Sequence, residues 1–560
     1  MKMVMLMAKR MRELAVVLLT SSVLVAQPAN RALDAPVLPA LGESVAVDMP
    51  LTVERRLGDA IMRDVYKDVS YFEDPVLQAY LQHLWEPLMQ AAQIRGEVSE
   101  EALAAFAWQL FLIQNSSVNA FALPAGYIGV HLGLMALTTS ADELVAVLAH
   151  ELSHVTQRHI ARNIARSKYQ SVASVAATVL GLLLASRSSN GSMAQAAIVG
   201  SQAAMLQGQL NFSREMEREA DRVGFGVMKD AGYAPAAMAH MFEKLDRANR
   251  FNDGNSYPYL RTHPLTVERI AEARTHADHS DGEIESITLI PKPNQELALY
   301  LHALMSARAR WFMETSEAAQ RRWMQDSVKP DASLLERVGA LYLGAMAQLQ
   351  ADNPSEAQLK LEQMRRLVPF KNSVSSGNES MNELLQLTFR ELQAKIYQGL
   401  GRHEAAFELW AASPVERSPS IRRAQMLLQA QSALLGFQKK QDLGKGNPTI
   451  PADQRVLKAM AEDFQWWLSQ NPNDAAVWGQ LAMIAQVLQR PLLAIRAEAE
   501  SRALRFDFIG ALDRLRSAQK LGREWARSHE GTNPEEVEMM VIDVRLRAFE
   551  EAQRQLKSTL

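Results

Sequence analysis

The chain has 560 residues, of which 48% are apolar and 22% are charged, with a formal net charge of −3 at pH 7. This composition is ordinary for a folded protein and provides no strongly basic surface, so we expect no nucleic-acid partner. Cysteine is absent, which excludes disulfide bonds, cysteine-ligated zinc fingers, iron–sulfur clusters and thiol catalysis. Any metal ion must therefore be held by histidine, aspartate or glutamate side chains.

The N-terminus has the pattern of an export signal. Four basic residues lie among the first twelve, and an apolar run then extends from Leu14 to about Ala26. This run is shorter than the roughly 20 residues that a membrane-spanning helix needs. We predict a signal peptide over residues 1–26 and a periplasmic mature protein, with a retained signal anchor as the alternative.

The rest of the chain divides by composition. A proline- and alanine-rich linker leads into one long block, and a polar connector containing Pro291 and Pro293 separates this block from an almost continuous series of amphipathic helices. The predicted segments are a linker (27–50), a first block (51–280), the connector (281–295), a region of helical repeats (296–525) and a C-terminal helix (526–560).

The second half repeats the pattern of a helical hairpin. Ala357, Leu361, Met364 and Pro369 have the spacing of the second helix of a tetratricopeptide hairpin. Such hairpins cannot bury their apolar faces alone, so neighbours must stack. A generic helical bundle is the alternative, and in either case this half has no cluster of catalytic residue types and is expected to bind a partner. Weaker copies of the pattern begin near Ala394, Trp478 and Ala511.

The first block contains the H-E-x-x-H pattern His150-Glu151-Leu152-Ser153-His154. Ser140 and Glu143 have the spacing of a capping box, and apolar residues follow at helical spacing, so the motif lies about two turns inside a helix. Residues four apart project from one helical face, so both imidazoles can reach one divalent cation. Glu151, about 100° around the helix, can face the open coordination position of that ion.

A hydrolytic zinc centre needs a third protein ligand besides these two histidines. Glu217 and Asp221 are four residues apart in an acidic segment and therefore share one helical face. Glu217 can be the ligand, and Asp221 can accept the second ring proton of a ligating histidine. Glu215 and Glu219, on a different face, compete with Glu217 for this role, and a merely solvated charged helix is the alternative.

These motifs resemble those of the gluzincin peptidases related to the CAAX prenyl endopeptidases. In that family, H-E-x-x-H is followed by E-x-x-A-D, as it is here. The segment from Asn119 to Ile128 is similar to the family's strand before the zinc helix. Thr262-His263-Pro264, followed by Glu268-Arg269-Ile270, is similar to its closing motif.

The resemblance implies a site with one Zn²⁺ per chain. It supports Glu217 as the third ligand and adds His263 as a further ligand, which closes the resting site and must swing away for catalysis. We assign Glu151 to catalysis as the general base and Asp221 as the group that orients a ligating histidine. The predicted metal ligands are His150, His154, Glu217 and His263.

One departure from the family concerns the membrane. Many members have transmembrane helices beside the zinc helix, whereas the equivalent stretch here, Val172 to Ala185, has about 14 apolar residues and is too short to span a bilayer. We expect a buried or lid helix there, with peripheral membrane contact as the alternative. Gly191, Gly200 and Gly208 are candidate hinges of a flap over the zinc cleft.

Together these features predict a mainly α protein: a zincin-type metallopeptidase domain with a small β element, followed by an α-solenoid of tetratricopeptide-like repeats. The whole arrangement resembles periplasmic proteases of outer-membrane β-barrel assembly. The resemblance implies a zinc endopeptidase and chaperone-like factor that degrades unfolded or misassembled β-barrel precursors. Its repeats would dock the assembly machinery. An extended substrate chain would pair with the strand Phe121 to Val130. The alternative is a repeat-domain chaperone or adaptor that is mostly not proteolytic.

Overall fold

The structure is a computed structural model, and it describes residues 49–166, 213–250, 258–280, 295–325, 331–368, 379–411, 418–442, 451–528 and 534–557. The predicted signal peptide, the stretch from Val172 to Ala185 and the three candidate hinge glycines lie outside the described residues. In the described parts of the chain, no helix is both long enough and apolar enough to cross a bilayer.

The first block consists of helices packed on a small sheet. Its helices are α1 (Leu51–Val65), α2 (Pro75–Ile94), α3 (Glu100–Ala105), α4 (Leu132–Leu137), α5 (Ala141–Thr156), α6 (His159–Arg166), α7 (Arg214–Asp230), α8 (Ala236–Arg250), α9 (Tyr259–Thr262) and α10 (Val267–Ser280). Its strands are β1 (Tyr71–Phe72), β2 (Gln109–Ile113), β3 (Ala120–Leu123) and β4 (Tyr127–His131). The prediction of a mainly helical protein with a small β element is confirmed.

The four strands form one sheet in the order β1-β2-β4-β3. The pair β2 and β4 is parallel, whereas β1 with β2 and β3 with β4 are antiparallel. Strand β3 is therefore an edge strand, with β4 on one side only. Helix α5 packs against β3, so this edge of the sheet lies beside the H-E-x-x-H helix.

The expectation of one strand from Phe121 to Val130 is wrong, because this segment is a β-hairpin. Pro124 begins a short 3₁₀ turn, and Ala125 and Gly126 then take the left-handed φ values 63° and 79°. A glycine adopts this conformation at little cost, and proline cannot extend a strand through its missing N–H group. The reversal brings β4 back along β3 and leaves β3 at the edge of the sheet.

The second half is a series of helices that pack on their neighbours in the chain. In α14, Ala357, Leu361 and Met364 are all buried, as the hairpin spacing requires. The tetratricopeptide type of these pairs stays a prediction. The helices are α11 (Gln295–Met313), α12 (Glu317–Gln325), α13 (Leu334–Gln350), α14 (Pro354–Leu367), α15 (Glu379–Gly399), α16 (His403–Ala411), α17 (Pro419–Asp442), α18 (Pro451–Gln470), α19 (Ala475–Val487), α20 (Pro491–Leu504), α21 (Phe508–Ser528) and α22 (Pro534–Lys557).

The two halves share one apolar core. A single cluster of buried side chains extends from Val76 in α2 to Leu428 in α17, and two further clusters serve the later helices. At the centre of the shared core lies the fully buried Arg308 of α11. Its guanidinium donates to Asp74 at the start of α2 and to Glu391 of α15. The first block and the repeats are therefore joined by apolar packing and by a buried ion network.

Candidate metal centre

The H-E-x-x-H motif lies in the last two turns of α5. Ser140 caps this helix, because its hydroxyl accepts a hydrogen bond from the Glu143 backbone N–H at 3.2 Å. The reciprocal bond of a capping box goes elsewhere, since the Glu143 carboxylate accepts from the Thr139 N–H at 2.7 Å. One half of the predicted capping box therefore forms, and α5 begins at the expected residue.

The structure brings four predicted ligands together. His150 and His154 project from α5 and Glu217 projects from α7, whereas His263 directly follows α9. One potential ligand atom from each side chain lies within 4.8 Å of all the others, and all four side chains are buried. Segments that are far apart in the chain thus converge on one point.

The spacing of these atoms fits a single metal ion. Four atoms bound tetrahedrally at about 2.1 Å from zinc would lie roughly 3.4 Å apart. The Nε2 atoms of His150 and His154 are 3.0 Å apart, and the His263 Nδ1 lies 3.3 Å from the first of them. Glu217 Oε1 lies 3.4 Å from His154 Nε2 and 3.1 Å from His263 Nδ1. Three imidazole nitrogens facing one carboxylate at these distances form a donor set suited to zinc.

Asp221 lies one turn beyond Glu217, where the sequence spacing places it. Its Oδ1 is 2.9 Å from Nδ1 of His150, so the opposite nitrogen of that ring is directed at the cluster. Arg269 in α10 donates to both oxygens of Asp221, at 2.7 and 2.8 Å. The same guanidinium lies 2.7 Å from Glu217. Glu217 and Asp221 are therefore both held by one buried arginine.

Glu151 lies beside the cluster and is fully buried. Its Oε2 accepts a hydrogen bond from the Ala122 backbone N–H at 2.9 Å, which links it to the edge strand β3. Its Oε1 has no hydrogen-bond partner among the described residues and lies 3.4 Å from His263 Nε2. Burial raises the pKa of Glu151 above the usual value of a glutamate, which suits a group that accepts and returns a proton.

The two histidines of α5 differ in their electrostatics. Burial disfavours the charged form of both rings. For His150, hydrogen bonds to Asp221 and Glu217 more than offset burial and raise the pKa to about 9. For His154, burial prevails and the pKa lies well below the usual value. Because an imidazole binds a metal ion through an unprotonated nitrogen, protonation of these rings competes with metal binding.

Three neighbours of the cluster were given no role from the sequence. Arg269 belongs to the closing motif, but spacing alone does not show that it reaches α7. His159 lies 2.9 Å from His154 and also contacts Glu219; its position five residues after His154 is the signal that could have drawn attention to it. Tyr259 stacks on His263, and its buried hydroxyl has no hydrogen-bond partner within the described part of the chain.

The competing acids of α7 are accounted for by the same geometry. Glu215 is exposed to solvent, and Glu219 points to His159 and Arg162. Of the three glutamates in this segment, Glu217 is the one that lies in the ligand cluster.

Comparison with known proteins agrees with this site. Residues 75–277 match Peptidase family M48. The first block thus contains a region that is similar to Peptidase family M48. A putative beta-barrel assembly-enhancing protease of Vibrio cholerae is 35% identical over 254 residues, which cover 43% of this chain and 50% of that protein. The beta-barrel assembly-enhancing protease of Escherichia coli K12 is 32% identical over 241 residues, covering 43% and 47%.

A third relative extends the comparison beyond bacteria. The mitochondrial metalloendopeptidase OMA1 of Schizosaccharomyces pombe is 30% identical over 224 residues, which cover 40% of this chain and 60% of that protein. The chain spans about half the length of the bacterial relatives it matches. The cluster described above lies within the residues that match the family model.

Proposed function

We propose that this chain is a periplasmic, zinc-dependent endopeptidase that takes part in outer-membrane β-barrel assembly and degrades misassembled precursors. The observation that carries the proposal is the convergence of His150, His154 and Glu217 on one point, with Glu151 beside them. The M48 domain and the names of the bacterial relatives support it.

Each residue of the site has a separate role in hydrolysis. When bound, one zinc ion supplies Lewis-acid polarisation of the substrate carbonyl and of the attacking water. Glu151 takes the proton of that water through a carboxylate oxygen and afterwards delivers it to the leaving amine. Asp221 holds His150 in the tautomer that directs Nε2 at the ion, and Arg269 holds Asp221.

His263 acts as the fourth ligand of the resting site in this proposal. A catalytic zinc site needs an open position, whereas four protein ligands close it. The Nδ1 atom of His263 lies 3.3 Å from Nε2 of His150 and 3.1 Å from Oε1 of Glu217, as expected of atoms that bind the same ion. Hydrolysis therefore requires this ring to leave the cluster.

The edge strand β3 provides a place for an extended substrate. It pairs with β4 on one side, and its Ala122 N–H contacts Glu151 on the other. A peptide that adds as a further strand therefore lies alongside the general base. This mode selects extended chains such as unfolded precursors, and the helical half offers the surface that docks the client or the assembly machinery.

The first test compares wild type with Glu151→Gln, which preserves side-chain shape and the acceptor for Ala122. We expect the variant to bind zinc like wild type but to cleave an unfolded β-barrel precursor at least roughly 10²-fold more slowly, because the base is lost. Cleavage fragments and bound zinc are measured on the same preparations. Unchanged cleavage by the purified variant would overturn the mechanism.

A second candidate function is a chaperone or adaptor in which the site is mostly closed. The observation that favours it is the position of His263 within the ligand cluster. Genetic complementation separates the two: full rescue of an outer-membrane assembly defect by Glu151→Gln supports the chaperone, and no rescue supports the protease.

A further inference from the structure

A third histidine lies directly behind the metal-facing pair. His159 is the first residue of α6 and is fully buried. Its Nδ1 lies 2.9 Å from Nδ1 of His154, and its Nε2 lies 3.0 Å from Glu219 on α7. Arg162, one turn along α6, donates to the same Glu219 oxygen at 2.8 Å. These contacts form a continuous chain from the ring of His154 to a carboxylate held by an arginine.

The proton positions along this chain follow from the ligand role of His154. If Nε2 of that ring offers its lone pair to a cation, the neutral ring carries its proton on Nδ1. That N–H then donates to Nδ1 of His159, which must act as the acceptor. A neutral His159 consequently carries its own proton on Nε2 and donates it to the carboxylate of Glu219. One arrangement of protons satisfies every contact.

The backbone turn that delivers His159 to this place is strained. Arg158, which joins α5 to α6, has a φ of 51°, in the left-handed region that residues other than glycine rarely adopt. Its guanidinium donates to the buried Glu54 of α1 at 2.9 and 3.0 Å and also to the Met49 carbonyl. The fold thus fixes an unfavourable turn with a partly buried ion pair, and the turn places His159 behind His154.

We propose that His159 is a positioning residue of the metal centre: with Glu219 it fixes the tautomer and orientation of His154, as Asp221 with Arg269 does for His150. The two ligating histidines of α5 are therefore supported in parallel ways, one directly by a carboxylate and the other through an intervening imidazole. The inference rests on the proposed function, because it takes His154 as a metal ligand.

The test measures metal binding by the full chain and uses two kinds of variant. His159→Phe keeps a ring but removes both hydrogen bonds, and His159→Asn returns an acceptor near the Nδ1 position. Glu219→Ala removes the carboxylate from a partly exposed site. The zinc dissociation constant is measured by competition with a chromophoric chelator, and the visible absorption bands of the cobalt-loaded proteins report ligand geometry.

Loss of such an outer partner costs roughly 10- to 100-fold in metal affinity. We expect His159→Phe to weaken zinc binding by this factor and to shift the cobalt bands. His159→Asn recovers part of the loss, and Glu219→Ala loses several-fold. His302→Phe is the matched control for a buried histidine, since His302 contacts Tyr80 and Thr138 but no ligand. Glu215→Ala controls for the loss of an acid from α7. Both controls should retain wild-type affinity and bands.

The outcomes separate this inference from the proposed function. If wild type binds zinc while His159→Phe and Glu219→Ala bind it equally well with unchanged cobalt bands, the positioning role of His159 is overturned and the metal site stands. A loss of affinity in His302→Phe as large as that in His159→Phe would likewise overturn it, because burial alone would then explain the effect. Failure of wild type to bind one zinc per chain would overturn the metal site and the positioning role of His159 together.

Discussion

At the scale of single residues, the candidate site depends on a balance of buried charge. Glu217 and Asp221 are two acids on one helix, and Arg269 lies at 2.7 Å from both. Burial alone would raise the pKa of Asp221, but the hydrogen bonds from Arg269 and His150 more than offset burial and lower it. The guanidinium also lies over the Phe242 ring, 5.0 Å from its centroid. Arg269 therefore favours the ionised form of Asp221, whereas for Glu217 the surrounding imidazoles outweigh burial and lower the pKa.

We expect Arg269→Met to destabilise the metal-free protein by about 3–5 kcal/mol, because it leaves two buried carboxylates without their partner. Zinc should restore part of this loss, since a cation neutralises Glu217 directly. Urea unfolding with and without zinc measures both effects. Arg274→Met on the same helix is the control, because the exposed pair of Arg274 with Glu243 is worth at most about 1 kcal/mol. Equal effects of the two changes would contradict this account.

The sequence indicated the four side chains that meet in the cluster and Asp221 beside them, but not the contacts of Arg269, His159 and Tyr259. The pairing of His150 and His154 follows from i, i+4 spacing, and the H-E-x-x-H pattern itself makes Glu151 the candidate base. Spacing left Glu217 in competition with its neighbours, and the family resemblance was needed to favour it. His159 could not be assigned a role, because its contact with His154 depends on a tight turn between two helices that no helical periodicity describes.

At the scale of elements, the site depends on the close approach of α5 and α7. Gly224 in α7 faces the backbone of α5, and a Cβ atom there would lie 3.0 Å from the Ala149 carbonyl oxygen and 3.2 Å from the His150 nitrogen. These contacts are tighter than ordinary van der Waals distances. The missing side chain thus allows α7 to lie near enough for Glu217, two turns earlier, to reach the histidines.

Gly224→Ala should therefore separate the two helices and weaken zinc binding by at least several-fold. Gly226→Ala, two residues further along α7, is the matched control. The three atoms nearest to a Cβ there all belong to the flexible end of the Arg95 side chain, and alanine should favour the helix by up to about 1 kcal/mol. Zinc affinity and thermal stability are measured for both. Wild-type affinity in Gly224→Ala would show that the contact between α5 and α7 does not set the ligand distance.

Element boundaries show the limits of pattern reading in a similar way. The start of α5 at Ala141 follows from Ser140, whose side chain satisfies a free N–H of the first turn. The hairpin of β3 and β4 was missed because the apolar run continues through Pro124 and Gly126, and hydrophobicity alone does not show where an extended chain reverses. Proline and glycine are typical turn residues, and Pro124 and Gly126 mark the place where the chain reverses.

At the scale of the whole molecule, arginines of the second half converge on one short segment of the first block. Three arginines from separate parts of the second half reach residues 73–78, where β1 leads into α2. Arg308 donates to Asp74, Arg423 to Gln78 and Arg505 to Glu73. The sequence separated the two halves at the connector but did not indicate this interface, because residues 73–78 lie more than 200 residues away in the chain from each of these arginines.

The pair formed by Asp74 and Arg308 should dominate this interface, because it is buried and part of a wider network. Arg308 also donates to the Tyr342 hydroxyl at 2.7 Å and to Glu391. Burial raises the pKa of Glu391, but Arg308 and Lys395 outweigh burial and lower it to about 2. A glutamate in the unfolded chain titrates near 4.5. The contribution of ionised Glu391 to the stability of the fold is therefore fully present above pH 4.5 and is lost as the pH falls towards 2.

Arg308→Ala should accordingly lower the free energy of unfolding by about 3–5 kcal/mol at neutral pH, because two buried carboxylates lose their partner. Arg505→Ala should cost at most about 1 kcal/mol, since the pair of Arg505 with Glu73 is partly exposed and screened by solvent. Denaturant unfolding of both variants and wild type at pH 7 and pH 3 measures the difference. The deficit of Arg308→Ala should shrink at pH 3, where protonation of Glu391 in the variant relieves the unpaired charge. A deficit that is equal at both pH values, or equal for the two arginines, would refute the dominance of the buried network.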